Sequence, residues 1–115
     1  LNVCEGIETA LSIMIAKRQA VWPCISSTIL SKFEPPEGIT HINVWADKDR
    51  EKNGKCAGYD HAIKLFERMD KKGVVVHILL PNEDIPEGAK SVDWNDTLNT
   101  QGVQGFPKTS HFSYM

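Results

Sequence analysis

The chain has 115 residues and a formal net charge of −2. That length carries one domain able to bury a sizeable core without disulfides or structural metal, and the charge argues against a protein that wraps nucleic acid through bulk positive potential. Cys4, Cys24 and Cys56 are odd in number and widely spaced, with no Cys-x-x-Cys pair and no Cys/His cluster, so a zinc site is disfavoured and a reduced, cytoplasmic protein is expected; no signal peptide or apolar run long enough to span a bilayer is present.

In chain order, Asn2-Val3-Cys4 reads as the end of a strand. Leu1 opens directly in it, as expected of a segment cut from a longer chain. A first helix follows over residues 6–17, with Ile7, Ala10, Leu11, Met14 and Ile15 at the i, i+3, i+4, i+7, i+8 spacing of one buried face. Residues 20–25 form a second strand, placed at a sheet edge because Pro23 has no N–H to donate to a ladder. Ser26 or Ser27 caps a short helix through Ile29, Leu30 and Phe33, and Pro35-Pro36-Glu37-Gly38 forces a turn.

A third strand covers residues 41–46, and residues 49–55 read as a mobile polar loop. The next helix spans residues 58–72, with Ala62, Leu65, Phe66 and Met69 inward and Gly73 as its stop. Residues 74–80 are an almost continuous apolar run, the signature of a parallel strand covered on both faces. The alternation predicts an α/β fold: one open, mostly parallel four-stranded sheet with helices on both faces. The domain is expected over residues 1–98, with a poorly ordered tail or linker over 99–115.

Three acidic signatures punctuate this pattern. Glu5-Gly6 follows the first strand, Asp47-Lys48-Asp49 follows the third, and Asp93-Trp94-Asn95-Asp96 comes later. Carboxylates at the carboxyl ends of strands in an open α/β sheet face the crevice where such folds bind ligands. Clustered there they repel unless cations neutralise them, and a hard oxygen donor set suits Mg²⁺ or Mn²⁺. Each has a plainer reading: Glu5 could complement a helix N-terminus, Asp47 and Asp49 could sit in a solvated strand-end turn, and Asp93 could be an N-cap.

Taken in order, these motifs resemble the Toprim domain of primases, topoisomerases and related nucleases. The wording Cys4-Glu5-Gly6-Ile7-Glu8-Thr9-Ala10-Leu11, Ala46-Asp47-Lys48-Asp49 and Lys90-Ser91-Val92-Asp93-Trp94-Asn95-Asp96 is similar to the Toprim modules of plasmid and phage primases, which are also found fused to conjugative relaxases. The resemblance spans residues 2–98. It implies that Glu5 acts in proton transfer or helps hold metal, and that Asp47 and Asp49 bind Mg²⁺ or Mn²⁺. Glu8, Asp93 and Asp96 are further acidic candidates, and Lys48 and Arg50 are candidate phosphate contacts. Trp94 reads as core before it reads as a stacking surface.

The function so implied is Mg²⁺-dependent nucleotidyl transfer making RNA primers on single-stranded DNA. Its partners would be a template strand, nucleoside triphosphates and the other domains of a replication or mobilisation protein, with no membrane. A Toprim nuclease, or a non-catalytic Toprim module of a relaxase or replication protein, is the alternative. The four histidines, His41, His61, His77 and His111, have no metal-spaced neighbours, and Tyr59 and Tyr114 are the only tyrosines.

Overall fold

A computed structural model describes residues 1–51 and 57–107; part of the expected 49–55 loop, and the tail from 108 with His111 and Tyr114, lie outside the described residues. Alternate residues of an extended strand point to opposite faces, and the central strands bury both. Val3, Ile42, Val44 and Ala46 join one apolar cluster with Leu30, Leu65 and Met69, while Cys4 and Trp45 join another with Ala10, Ile13, Trp94 and Phe106. A sheet with two buried faces needs helices on each. α1 (Ile7–Lys17) and α4 (Trp94–Gln101) cover one face, and α2 (Ser27–Ser31) and α3 (Ala57–Asp70) cover the other.

The sheet comprises β1 (Asn2–Cys4), β2 (Val21–Pro23), β3 (His41–Trp45) and β5 (Val75–Leu79), all parallel, in the order β2-β1-β3-β5. The four-stranded parallel sheet is the one expected, and the proline-bearing strand is at its edge. β1 connects through α1 to a neighbour on one side, and the chain then crosses back to place β3 on the other. The order therefore reverses between β1 and β3, a topological switch point whose crevice lies beyond the strands' carboxyl ends. In the register Cys4↔Trp45, Glu5 follows one partner and Asp47 lies just beyond the other.

Several expectations need correction. The buried side of α1 is Thr9, Ala10, Ser12 and Ile13, whereas Ile7, Leu11, Met14 and Ile15 are 44–63% exposed. The helix is apolar nearly all round, so spacing alone offers two stripes. The small one is chosen because Ser12 meets α4, where its Oγ donates to Asn95 Oδ1 at 3.0 Å. Phe66 is exposed, although Ala62, Leu65 and Met69 are buried as expected. β5 is an edge strand, which leaves Val75 exposed rather than covered on both faces.

The folded region also continues past residue 98. α4 runs to Gln101 and a 3₁₀ turn spans Gly102–Gly105. Phe106 is buried against Trp45 and Trp94, with ring centroids 6.0 and 5.0 Å away. Lys17 Nζ donates to Pro107 O at 2.9 Å and ties this end to α1. Gly105 permits the closure, since a Cβ there would lie 2.7 Å from Thr97 Cγ2 and 2.8 Å from Gln101 Cβ. The aromatic trio also places Trp94 in the core.

A neutral polar network lies inside the sheet. Asn43 Nδ2 and Trp45 Nε1 both donate to Asn2 Oδ1, at 3.1 and 3.0 Å, and Asn2 Nδ2 donates to Gln19 Oε1 and Ala20 O. It joins β1, β3 and the approach to β2 through one side chain.

Candidate functional site

Two strands the sequence reading does not contain build the site. β4 (Lys48–Asp49) pairs antiparallel with β6 (Ser91–Val92), in the register Lys48↔Val92 and Asp49↔Ser91. This ribbon brings residues 91–96 back against the end of β3. Asp93, the residue after β6, then becomes the N-cap of α4: Asp93 Oδ1 accepts from Asp96 N at 2.8 Å, and Asp96 Oδ2 accepts from Asp93 N at 3.1 Å. The reciprocal pair satisfies two backbone N–H groups that the start of a helix leaves open. Asp93 nonetheless also lines the crevice, so the plain reading and the functional one hold together.

That crevice is a cavity of about 330 Å³ bordered by Glu5, Gly6, Glu8, Thr9, Ile25, Asp47 and Asp93. Three stretches far apart in sequence thus contribute carboxylates to one cavity. Gly6 has an ordinary φ of −103°, and a Cβ added there meets nothing within 4 Å. The fold itself does not require glycine, and its absent side chain leaves the crevice floor open. At the rim, Ile25 holds φ at 74° with its side chain 62% exposed, a strained setting for a β-branched residue.

Asp47 carries the electrostatic stress. Burial pushes its carboxyl up to about 7 from 3.8, and Asp93, Glu5, Asp49 and Asp96 push in the same direction. Burial also raises Asp93. Behind them, burial holds the Cys4 thiol near 12, and its Sγ donates to Gly6 O at 3.3 Å, so this cysteine is an inert structural group.

The other candidates are placed as follows. Glu8 is exposed on the crevice wall, one turn into α1. Asp49 borders a second cavity, shared with Asp47, rather than the first. Lys48 Nζ donates to Glu83 O at 2.8 Å. The Arg50 guanidinium is spent on the loop between β5 and β6, donating to Ala89 O, Ile85 O and Pro86 O, and Arg50 N donates to Lys90 O. It clamps that loop so that the β4–β6 ribbon can close. A concentration of cations that the sequence scatters gathers elsewhere: Lys32, Lys64, Arg68 and Lys71, with Glu67, line a groove between α2 and α3.

The Toprim-domain family matches residues 1–104, nearly the whole described chain. The chain belongs to the Toprim family. No curated protein and no solved structure matches it. A Toprim domain is a metal-binding module of the nucleotidyl-transfer or nuclease type that acts with DNA or nucleotides, so the site is to be judged as a place for a divalent ion and phosphate. Among the described residues, no group of three or more His, Cys, Asp or Glu is arranged to hold an ion. The expected convergence of Glu5, Asp47 and Asp49 within reach of one ion is therefore not met by the side chains as they lie. Asp49, paired in the β4–β6 ribbon, borders the second cavity together with Asp47. The donor set still fits a hard cation: it is all carboxylate, and its most buried member is destabilised by its neighbours' negative charge. Mg²⁺ commonly takes one or two carboxylates and completes its shell with water and substrate phosphates. Among the described residues no helix is long and apolar enough to cross a membrane.

Proposed function

We propose that this Toprim domain is the catalytic module of a DNA primase, joining ribonucleotides on a single-stranded DNA template. The observation that carries the reading is the crevice at the switch point, where Glu5, Asp47 and Asp93 line one cavity and Asp47 and Asp49 line the next. In this reading Asp47 and Asp49 hold Mg²⁺ or Mn²⁺, Glu5 assists, and Glu8, Asp93 and Asp96 add negative potential around them. The ion, when bound, supplies charge neutralisation and Lewis acidity toward phosphate oxygens.

The chain's own contribution is placement. In this reading the 3′-hydroxyl oxygen forms a bond to the α-phosphorus of the incoming ribonucleotide, the bond to pyrophosphate breaks, and Glu5 takes the hydroxyl proton. Lys48, its ammonium bound to Glu83 O, borders the second cavity, while Arg50 acts by holding the 81–90 loop. The template strand and any neighbouring domain approach from the open side of the crevice.

Ribonucleotide incorporation on a single-stranded template, by the protein that carries this domain, tests the reading. Activity that needs Mg²⁺ or Mn²⁺ and falls at least about 100-fold in Asp47→Asn or Glu5→Ala supports it. Metal-dependent cleavage of the strand without incorporation would make the domain a Toprim nuclease. Neither activity, with DNA binding retained, would make it a non-catalytic module.

A further inference from the structure

Asp47 stands in the wall of two cavities, and they differ in what else lines them. The second, about 380 Å³, is bordered by Asp47, Lys48, Asp49, Tyr59 and Leu80. That volume is within the range of small-molecule sites. Its lining is chiefly carbon. Tyr59 is 40% exposed near the start of α3, where that helix packs against β4, and Leu80, half-buried against the core cluster, also lines the space. The Lys48 ammonium is engaged by Glu83 O. Among the described residues no ring packs on Tyr59 and no group hydrogen-bonds its hydroxyl.

We propose that this second cavity is a nucleobase slot, in which a base stacks on Tyr59 against Leu80 while the phosphates of the same nucleotide lie toward Asp47 and Asp49. The inference rests on the metal-and-phosphate reading of those aspartates and adds the site for the other end of the ligand. A carbon-lined space does not suit phosphate, which carries charge and several acceptors. An all-carboxylate edge does not suit a purely apolar molecule. A nucleotide joins an aromatic disc to a cation-bound phosphate and satisfies both halves. Stacking accepts any base, because every base has a π-face. The ligand is either a free nucleoside triphosphate or the terminal nucleotide of a strand, since both present the same chemistry.

Equilibrium binding in the presence of Mn²⁺ tests the proposal, with ATP, inorganic triphosphate and a single-stranded pentanucleotide as probes. The native chain is expected to bind ATP about tenfold tighter than triphosphate, the gain that one stacked base supplies. Tyr59→Ala and Tyr59→Leu should bring ATP to parity with triphosphate while Tyr59→Phe keeps the preference. Thermal melting of each variant confirms that it is folded, and Tyr59→Leu retains the apolar volume that Tyr59→Ala removes. A loss confined to ATP puts the free nucleotide in the slot, and a loss confined to the pentanucleotide puts a strand end there. Native affinity of Tyr59→Leu for both base-bearing probes overturns the slot. Undiminished triphosphate binding by Asp47→Asn/Asp49→Asn overturns instead the metal-and-phosphate reading beneath it.

Discussion

Two polar clusters are built on the same pair of central strands and are treated in opposite ways. Within the sheet, Asn2 and Asn43 are buried, neutral and joined to the Trp45 indole, and Asn2 makes four hydrogen bonds through one amide. At the strands' carboxyl ends, Glu5, Asp47 and Asp93 face a common cavity as like charges, and Asp47 is driven toward its protonated form. In the first cluster the Asn2 amide and the Trp45 indole are satisfied and Asn43 Oδ1 alone lacks a partner among the described residues, whereas in the second like charges crowd a cavity open to a ligand. The first cluster belongs to folding and the second, in the function proposed above, to an incoming cation and phosphate.

The largest stability change expected of a single substitution lies in the first cluster. Asn2→Ala removes the acceptor of two buried donors, Asn43 Nδ2 and Trp45 Nε1. Each orphaned buried group costs roughly 1–3 kcal/mol, so the variant should lose about 3 kcal/mol in urea unfolding. A loss below about 1 kcal/mol would mean that the network is not a unit of the fold.

The second cluster should respond in the opposite direction. Asp47 is held at about 7 in the folded protein, against 3.8 unfolded. Between those values the folded state binds more protons than the unfolded state, so stability falls as pH rises from about 4 to about 7. At roughly 1.4 kcal/mol per unit, tempered by the group's partial exposure, the fall is on the order of 2–4 kcal/mol, and Asp93 adds to it in the same sense. Metal-free protein should melt at a higher temperature at pH 5 than at pH 8, and Mn²⁺ should restore part of the difference at pH 8. Asp47→Asn should flatten the profile and raise stability at pH 8 while abolishing most of the Mn²⁺ effect. A native profile that rises from pH 5 to 8 would show that these carboxylates are paired with something in the fold.

The same contrast explains what could be read from the chain and what could not. The strands, the edge position given by Pro23 and the acidic residues at strand ends are local patterns, and they were legible. The inward side of α1 was not, because Ile7, Leu11, Met14 and Ile15 make a better apolar stripe than Thr9, Ala10, Ser12 and Ile13. Only α4, with Asn95 opposite Ser12, decides between them. The β4–β6 ribbon escaped notice because two-residue strands have no periodicity, yet it fixes Asp93 beside Asp47 and carries Asp49 to the second cavity. Phe106 lay beyond the last recognisable pattern. Its burial against Trp45 and Trp94 depends on the turn that Gly105 permits. Tyr59 was legible only as one of two tyrosines, since the stacking role proposed for it depends on the cavity it shares with Leu80, Lys48 and Asp49.

Glu5 offers a smaller and sharper comparison with Asn2, three residues away on the same strand-to-helix segment. Asn2 is buried and bonded, while Glu5 is half-buried on a cavity shared with other carboxylates. Removing one member of a mutually repelling set should not cost folding energy. Glu5→Ala is therefore expected to melt within about 1 kcal/mol of the native protein, while losing most of any metal-dependent activity. Unfolding of that variant would make Glu5 a structural cap and move it into the first cluster.

The smallest effect lies at the rim of the crevice, at Ile25. A positive φ is costly for an L residue, most of all a β-branched one, and single strained residues of this kind cost on the order of 1–3 kcal/mol. Ile25 sits at 74° with its side chain largely in solvent, so little burial is lost on shortening it. Ile25→Gly relieves the strain, although glycine returns part of the gain because it frees the unfolded chain. The net expectation is a stabilisation of about 0.5–1 kcal/mol, read as a small rise in melting temperature. Because Ile25 borders the acidic cavity, the comparison extends to function. If the rim backbone is held in place only to shape the crevice, the glycine variant will be more stable than native and weaker in metal-dependent triphosphate binding. A variant that is less stable would instead assign the Ile25 side chain to the fold and leave the crevice rim without a stored cost.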